Sequence, residues 1–176
     1  MWPKVPKLSN AVGTFPAVRV YFKPRGLSLL SEISIDHQIS QKRNYMIRKA
    51  KIKDIKHIQS LINHFAKQDL MLPRSLNELY ENLRDFWVAE EGGKIVGCSA
   101  MHISWDDLAE VKSLAVAKNR QKKGLGQVLV EACLEEAREL GARRVFVLTY
   151  KVGFFRKFGF KKIKNYSLPQ DRKSVV

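Results

Sequence analysis

Two cysteines, Cys98 and Cys133, are all that this 176-residue chain carries. They fall within an expected strand and an expected helix, on apolar faces. They therefore read as buried free thiols of a reducing cytoplasm, not as a disulfide framework. No C-x-x-C or H-x-x-x-H spacing occurs, so the chain offers no metal-ligand set and no metal is expected. Long apolar runs are missing as well. None approaches 18 residues, so no membrane-spanning helix is expected. Pro3, Pro6 and scattered lysines stand where a secretory signal would carry a 7–15-residue apolar block. No Gly-x-x-x-x-Gly-Lys-Ser/Thr run is present, which excludes a P-loop. Acids are scarce: 17 Asp/Glu face 32 Lys/Arg, for a net charge of +15. Such a chain attracts polyanions without specificity. That suits an anionic small-molecule substrate, and it suits RNA too, although nucleic acid is the weaker reading.

What is present is concentrated between Leu114 and Leu129, LAVAKNRQKKGLGQVL. An apolar strand gives way to a polar turn, and Gly-Leu-Gly then opens a helix. This order gathers unpaired backbone N–H groups and the positive end of a helix dipole at one spot, where phosphate oxygens bind. Gly124 and Gly126 let the chain pass close to a ligand. Lys122 and Lys123 add positive charge. A dinucleotide fingerprint does not fit, because Leu129 stands where its third glycine would be.

The length suits one domain with a full core. Residues 1–45 lack periodicity and carry seven Lys/Arg against two acids. They read as a weakly ordered arm, with Met46 as the expected natural start. A domain over 46–169 and a tail over 170–176 follow. The expected elements begin with a strand at 46–49 and a helix near 54–66. Asp54 caps that helix, and Ile55, Ile58, Ile62 and Phe65 form its apolar face. Ser75 to Glu78 reads as a capping box opening a short second helix. Strands 86–90 and 95–103 flank a Glu91-Gly92-Gly93-Lys94 turn. A central strand covers 108–117, and the main helix covers 124–140, with Leu125, Leu129, Cys133, Ala137 and Leu140 on its buried face. The strand 144–149 is apolar throughout and should be buried on both faces. A short helix and a last strand at 160–163 complete a mixed α/β pattern.

The spacing Gln121-x-x-Gly124-x-Gly126 resembles the Q/R-x-x-G-x-G/A motif of the GNAT N-acetyltransferases. Phe154-Phe155-Arg156-Lys157-Phe158-Gly159-Phe160 resembles the second signature of that family. The wording around Leu72 to Leu76, Glu110 to Val116 and Phe146 to Tyr150 is similar to the amino-acid N-acetyltransferases of the N-acetylglutamate synthase type. The resemblance spans about 46–169. It implies the α/β acyl-CoA N-acyltransferase fold, a mixed sheet with antiparallel N-terminal strands and a central splayed pair. It further implies acetyl-CoA as cofactor and an amino acid as acceptor. Glutamate is the leading acceptor, for N-acetylglutamate synthesis in arginine biosynthesis by direct transfer in a ternary complex. A protein or other amine acceptor is the second reading, and a degenerate acyl-CoA- or RNA-binding module the third. A homodimer is compatible with the chain.

By position, the resemblance assigns Leu114, Ala115, Val116, Gln121, Lys122, Lys123, Gly124, Leu125, Gly126 and Phe154 to the cofactor. The Val116 N–H is the expected oxyanion donor. Glu110 is the expected general base, with His102 as the weaker candidate. The family's acidic tyrosine is replaced by Phe155, which leaves Tyr150 as the candidate substitute acid, the alternative being a thiolate that leaves unaided. Arg74 and Lys112 are implied as carboxylate holders, a task for which the guanidinium fork is well shaped.

Overall fold

The computed structural model describes residues 18–22, as backbone, and 45–162. Most of the expected arm and all of the expected tail 170–176 lie outside these residues. The strands are β1 (Val18–Phe22), β2 (Met46–Lys49), β3 (Phe86–Glu91), β4 (Lys94–Trp105), β5 (Leu108–Val116), β6 (Arg144–Thr149) and β7 (Lys161–Lys162). The helices are α1 (Ile55–Ala66), α2 (Leu76–Glu81), α3 (Leu125–Glu139) and α4 (Val152–Arg156). The described strands form one sheet in the order β2-β3-β4-β5-β6-β1-β7. All pairings are antiparallel except β5 with β6. The strand β1, from the segment read as an arm, enters this sheet between β6 and β7.

Each helix lies where its apolar periodicity sends it. On α1, Ile55, Ile58, Ile62 and Phe65 are buried against Val88, Cys98, Ala100 and Ala115 on one face of the sheet. On α3, Val130, Cys133, Leu134 and Ala137 pack on the other face against Met101, Ala109, Val111, Val145 and Val147. Close approach of α3 depends on Gly97. A Cβ there would come within 2.9 Å of Leu129 Cδ1. Gly92 and Gly93 both take positive φ, 54° and 78°, which lets a two-residue turn join β3 to β4.

Two features shape the middle of the sheet. First, Ala100 pairs with Lys112 and Cys98 with Ala115, so two residues of β5, Ser113 and Leu114, face Ser99 alone. This is a bulge, and Ser113 at its centre has φ 57°. Side chains on either side of it change faces. Lys112 is on the α1 side before the bulge, and Ala115 is back on the α1 side after it, with Leu114 and Val116 turned to α3. Second, β5 and β6 are in register only over Leu108–Glu110 and Arg144–Phe146. The closed end is pinned by Asp107. Its carbonyl accepts the Arg143 and Arg144 amides, each at 2.9 Å, and its carboxylate takes the Arg144 guanidinium with both oxygens. Beyond Glu110 the two strands part.

Several expectations are corrected. Asp54 does not cap α1 with its side chain. Its carboxylate accepts from Arg48, at 2.6 Å, and from the Lys51 amide instead. Leu140 is 61% exposed because α3 ends at Glu139, one residue before it. Leu148 is exposed, so β6 is buried on one face and only partly on the other. The capping box of α2 is half made. Ser75 Oγ accepts the Glu78 amide, but the Glu78 carboxylate pairs with Arg74.

Candidate active site

Among the described residues, the parting of β5 from β6 leaves one edge of β5 without a partner strand beyond Glu110. The Ala117 amide donates to the Val96 carbonyl at 2.9 Å, which makes Gly97 and Val116 a non-hydrogen-bonded pair. The N–H and C=O of Val116 therefore point away from β4, into the opening. Alternation along the strand puts the Leu114 amide on the same edge. Gln121 Nε2 donates to the Val116 carbonyl at 2.9 Å, which ties the following turn back to this edge. Ala115 does not share the role expected of it, since its polar groups turn toward Cys98 on β4.

The turn then runs directly into α3. Lys122 and Gly124, on either side of Lys123, have φ 59° and 82°, and turns that alternate right- and left-handed residues are suited to cradling an anion with their amides. Gln127 and Val128 return their amides to the Gly124 carbonyl. Helix geometry leaves the Leu125 and Gly126 amides without an intrahelical carbonyl. Gln121, Lys122 and Lys123 are exposed. Gly124 is required by its backbone angle. At Gly126 an added Cβ would lie 3.6 Å from Phe154 and 3.7 Å from Val116, which is ordinary contact. Phe154 thus lines this end of the opening, while Phe155, in place of the expected tyrosine, is buried in the α3 core. Tyr150, at the end of β6, is 41% exposed.

A second group of residues stands on the α1 side of β4 and β5. Glu110 lies directly across from His102. Lys112 is half-buried, and burial lowers its pKa, with Glu110 and Asp85 opposing the fall and Arg74 adding to it. Asp85 Oδ2 is 2.6 Å from His102 Nδ1 and 4.0 Å from Lys112 Nζ. Arg74 pairs with Glu78, and its backbone is held by Asn63 and Gln59 of α1. Arg74 and Lys112 are thus brought to the same site as Glu110. The bulge shortens the run from Glu110 to Val116 to the five-residue step from His102 to Gly97 on β4, about 17 Å, so the two do not meet at one carbon atom. Sequence reasoning missed Asp85, Asn63, Gln59 and Glu78. Their alignment depends on how a turn and two helices pack together, which no motif encodes.

The thiols complete the inventory. Burial pushes Cys98 and Cys133 each up to about 12, so both are poor nucleophiles.

Residues 52–160 match the model of the acetyltransferase (GNAT) family. The chain belongs to that family. It is 38% identical over 122 residues to the amino-acid acetyltransferase of Mycobacterium tuberculosis, covering 68% of this chain and 70% of that protein. A Mycobacterium tuberculosis protein solved in complex with CoA matches with TM-score 0.67 at 37% identity, covering 70% of this chain and 75% of that one. The N-acetylglutamate synthase of Neisseria gonorrhoeae, solved with coenzyme A and N-acetyl-glutamate, matches with TM-score 0.68 at 32% identity. There the match covers 72% of this chain and 30% of the synthase chain.

The GNAT chain is an acetyltransferase that uses acetyl-CoA, and its residues fit that molecule. The left-handed turn at Lys122 and Gly124 and the first amides of α3 suit the pyrophosphate. The unpaired edge of β5 suits the amide groups of the pantetheine arm. Among the described residues no helix is long and apolar enough to cross a membrane.

Proposed function

We propose that this chain acetylates the α-amine of an acidic amino acid, with L-glutamate as the substrate, and so supplies the entry step of arginine biosynthesis. The observation that carries this reading is the gathering of Arg74 and Lys112 beside Glu110. Two cations, of which Lys112 is half-buried, suit the two carboxylates of such a substrate, and Glu110 beside them suits its ammonium. The names of the Mycobacterium tuberculosis and Neisseria gonorrhoeae proteins support it.

Acetyl-CoA, when bound, supplies the acetyl thioester carbon that the amine attacks. The protein's own residues do the rest. Arg74 and Lys112 hold the carboxylates and so fix the amine over the point where β5 and β6 part. Glu110, directly or through one water, accepts a proton from the ammonium so that nitrogen gains a lone pair. The Leu114 amide, two residues nearer Glu110 than Val116, is the better-placed oxyanion donor. The Val116 N–H and C=O then hold the arm of the donor. Tyr150, at the rim of the opening, is the remaining candidate to protonate sulfur.

The test is CoA release from acetyl-CoA against glutamate, glutamine, aspartate, lysine and spermidine. Saturable turnover with glutamate that is lost in Arg74→Ala supports the proposal. Tight acetyl-CoA binding with no turnover on any small amine transfers the assignment to a protein acceptor.

A further inference from the structure

His102 sits in a row of groups that crosses three adjacent strands. Asp85, at the entry to β3, comes first, His102 on β4 second, and Glu110 on β5 third. Phe86 pairs with Ala100, and His102 pairs with Glu110, so the order follows from the register of the sheet. Asp85 Oδ2 is 2.6 Å from His102 Nδ1. A carboxylate only accepts hydrogen bonds, so Nδ1 carries the proton and donates it to Asp85. In the neutral ring Nε2 is then the acceptor, and Glu110 is the direct cross-strand neighbour of His102. Such partners have Cβ atoms about 5 Å apart, within reach of a hydrogen bond between their side chains or through one water. The His102 side chain is 38% exposed, so the same ring also meets solvent.

We infer that His102, fixed in its tautomer by Asp85, is the second station for the proton taken from the acceptor ammonium, receiving it from Glu110 and passing it to solvent. This rests on the proposed acceptor site. The N–H bond of the ammonium breaks and its electron pair stays on nitrogen. The proton moves to the Glu110 carboxylate, then to His102 Nε2, then to water, and Glu110 is returned to its ionised form for the next cycle. Asp85 is a positioning residue in this scheme. It compensates the imidazolium that forms transiently, much as it faces the ammonium of Lys112 at 4.0 Å. The charged groups around His102 are Asp85 from the turn before β3, Glu110 and Lys112 from β5, and Arg74 with Glu78 from α2 and the loop before it.

Two measurements test the inference. In ¹⁵N NMR of the full chain, His102 should show the Nδ1–H form, and Asp85→Asn should redistribute it between the two tautomers. An Nε2–H form in the unaltered protein overturns the proposal, whatever the enzyme turns over. In steady-state kinetics with glutamate, His102→Asn should lower kcat by about 10²-fold, with KM for acetyl-CoA unchanged and the acid limb of the pH–rate profile altered. Unaltered kcat and an unaltered profile in a folded His102→Asn protein overturn it. If the unaltered protein releases no CoA with any acidic amino acid, the acceptor assignment fails, and the tautomer measurement still decides whether Asp85 fixes His102.

Discussion

Asn63 holds the peptide of Arg74 from both sides: its Oδ1 accepts the Arg74 N–H at 2.9 Å, and its Nδ2 donates to the Arg74 carbonyl at 3.2 Å. Gln59, one turn earlier on α1, donates to the same carbonyl at 3.3 Å. The loop that carries Arg74 is thereby fastened to a helix whose opposite face is buried in the core. Asn63→Ala removes two hydrogen bonds of about 1 kcal/mol each and frees the guanidinium to wander. KM for the acidic acceptor should rise about tenfold, with kcat and KM for acetyl-CoA little changed. Initial-rate kinetics with each substrate varied in turn reads this out. An Asn63→Ala protein with unaltered acceptor KM would show that Arg74 needs no such support.

The two glycines of the turn should respond differently. At Gly124, with φ 82°, alanine should cost roughly 1–2 kcal/mol and distort the anion cradle, so affinity for CoA should fall. At Gly126 an added methyl meets neighbours only at ordinary contact distances, and the fold should accept it. Isothermal titration with CoA and thermal melting of Gly124→Ala and Gly126→Ala separate the effects. Equal loss of stability in both would contradict this division of roles.

Asp54 is 3% exposed and faces Arg48, which also reaches Glu90. Burial pushes its pKa up, but hydrogen bonds from Arg48 and the Lys51 amide outweigh burial and leave it below the ordinary carboxylate value. A depressed carboxylate contributes stability above its unfolded-state pKa, and that contribution is lost as pH falls through its folded-state pKa. Asp54→Asn should therefore destabilise the protein by about 3 kcal/mol at pH 7, and the difference should shrink below about pH 4. Urea unfolding of both proteins from pH 7 down to pH 3 tests the sign; a gap that widens on acidification refutes it.

Cys98 and Cys133 should be silent toward Ellman's reagent in the native protein at pH 8, because burial raises both thiols to about 12 and excludes the reagent. In guanidinium chloride both should react at once. Rapid labelling of either thiol in the folded protein would place it at a surface.

The parting of β5 and β6 depends on the clamp at its closed end. Asp107→Ala removes the acceptor of the Arg144 guanidinium and should loosen the start of β6. Hydrogen exchange at Val145 and Phe146 should speed up, while exchange in α1, on separate packing, should not. Uniform acceleration throughout the sheet would mean the clamp acts on the whole fold.

What the sequence determined by itself is local. The period of Ile55, Ile58, Ile62 and Phe65 fixed α1 and its buried face, because a 3.6-residue repeat of large apolar groups has one stable orientation on a sheet. The pair Gly92-Gly93 fixed the β3–β4 turn, and Gly124 ahead of an apolar repeat fixed the start of α3, because few other residues adopt those backbone angles. Together with Gln121 and Gly126 this turn made the family readable. The ends of elements were less legible: Leu140 and Leu148 obey the apolar pattern yet are exposed among the described residues. Only the tertiary structure decided the grouping proposed as the acceptor site. Asp85, His102, Glu110 and Lys112 come from three elements, and Asn63 reaches Arg74 across eleven residues. No local spacing encodes such contacts, because they exist only once the strands are in register and the bulge at Ser113 has set which side chains share a face. The open edge of β5 likewise follows from where β6 stops pairing, a consequence of sheet twist and the Asp107 clamp that no single segment of the chain contains.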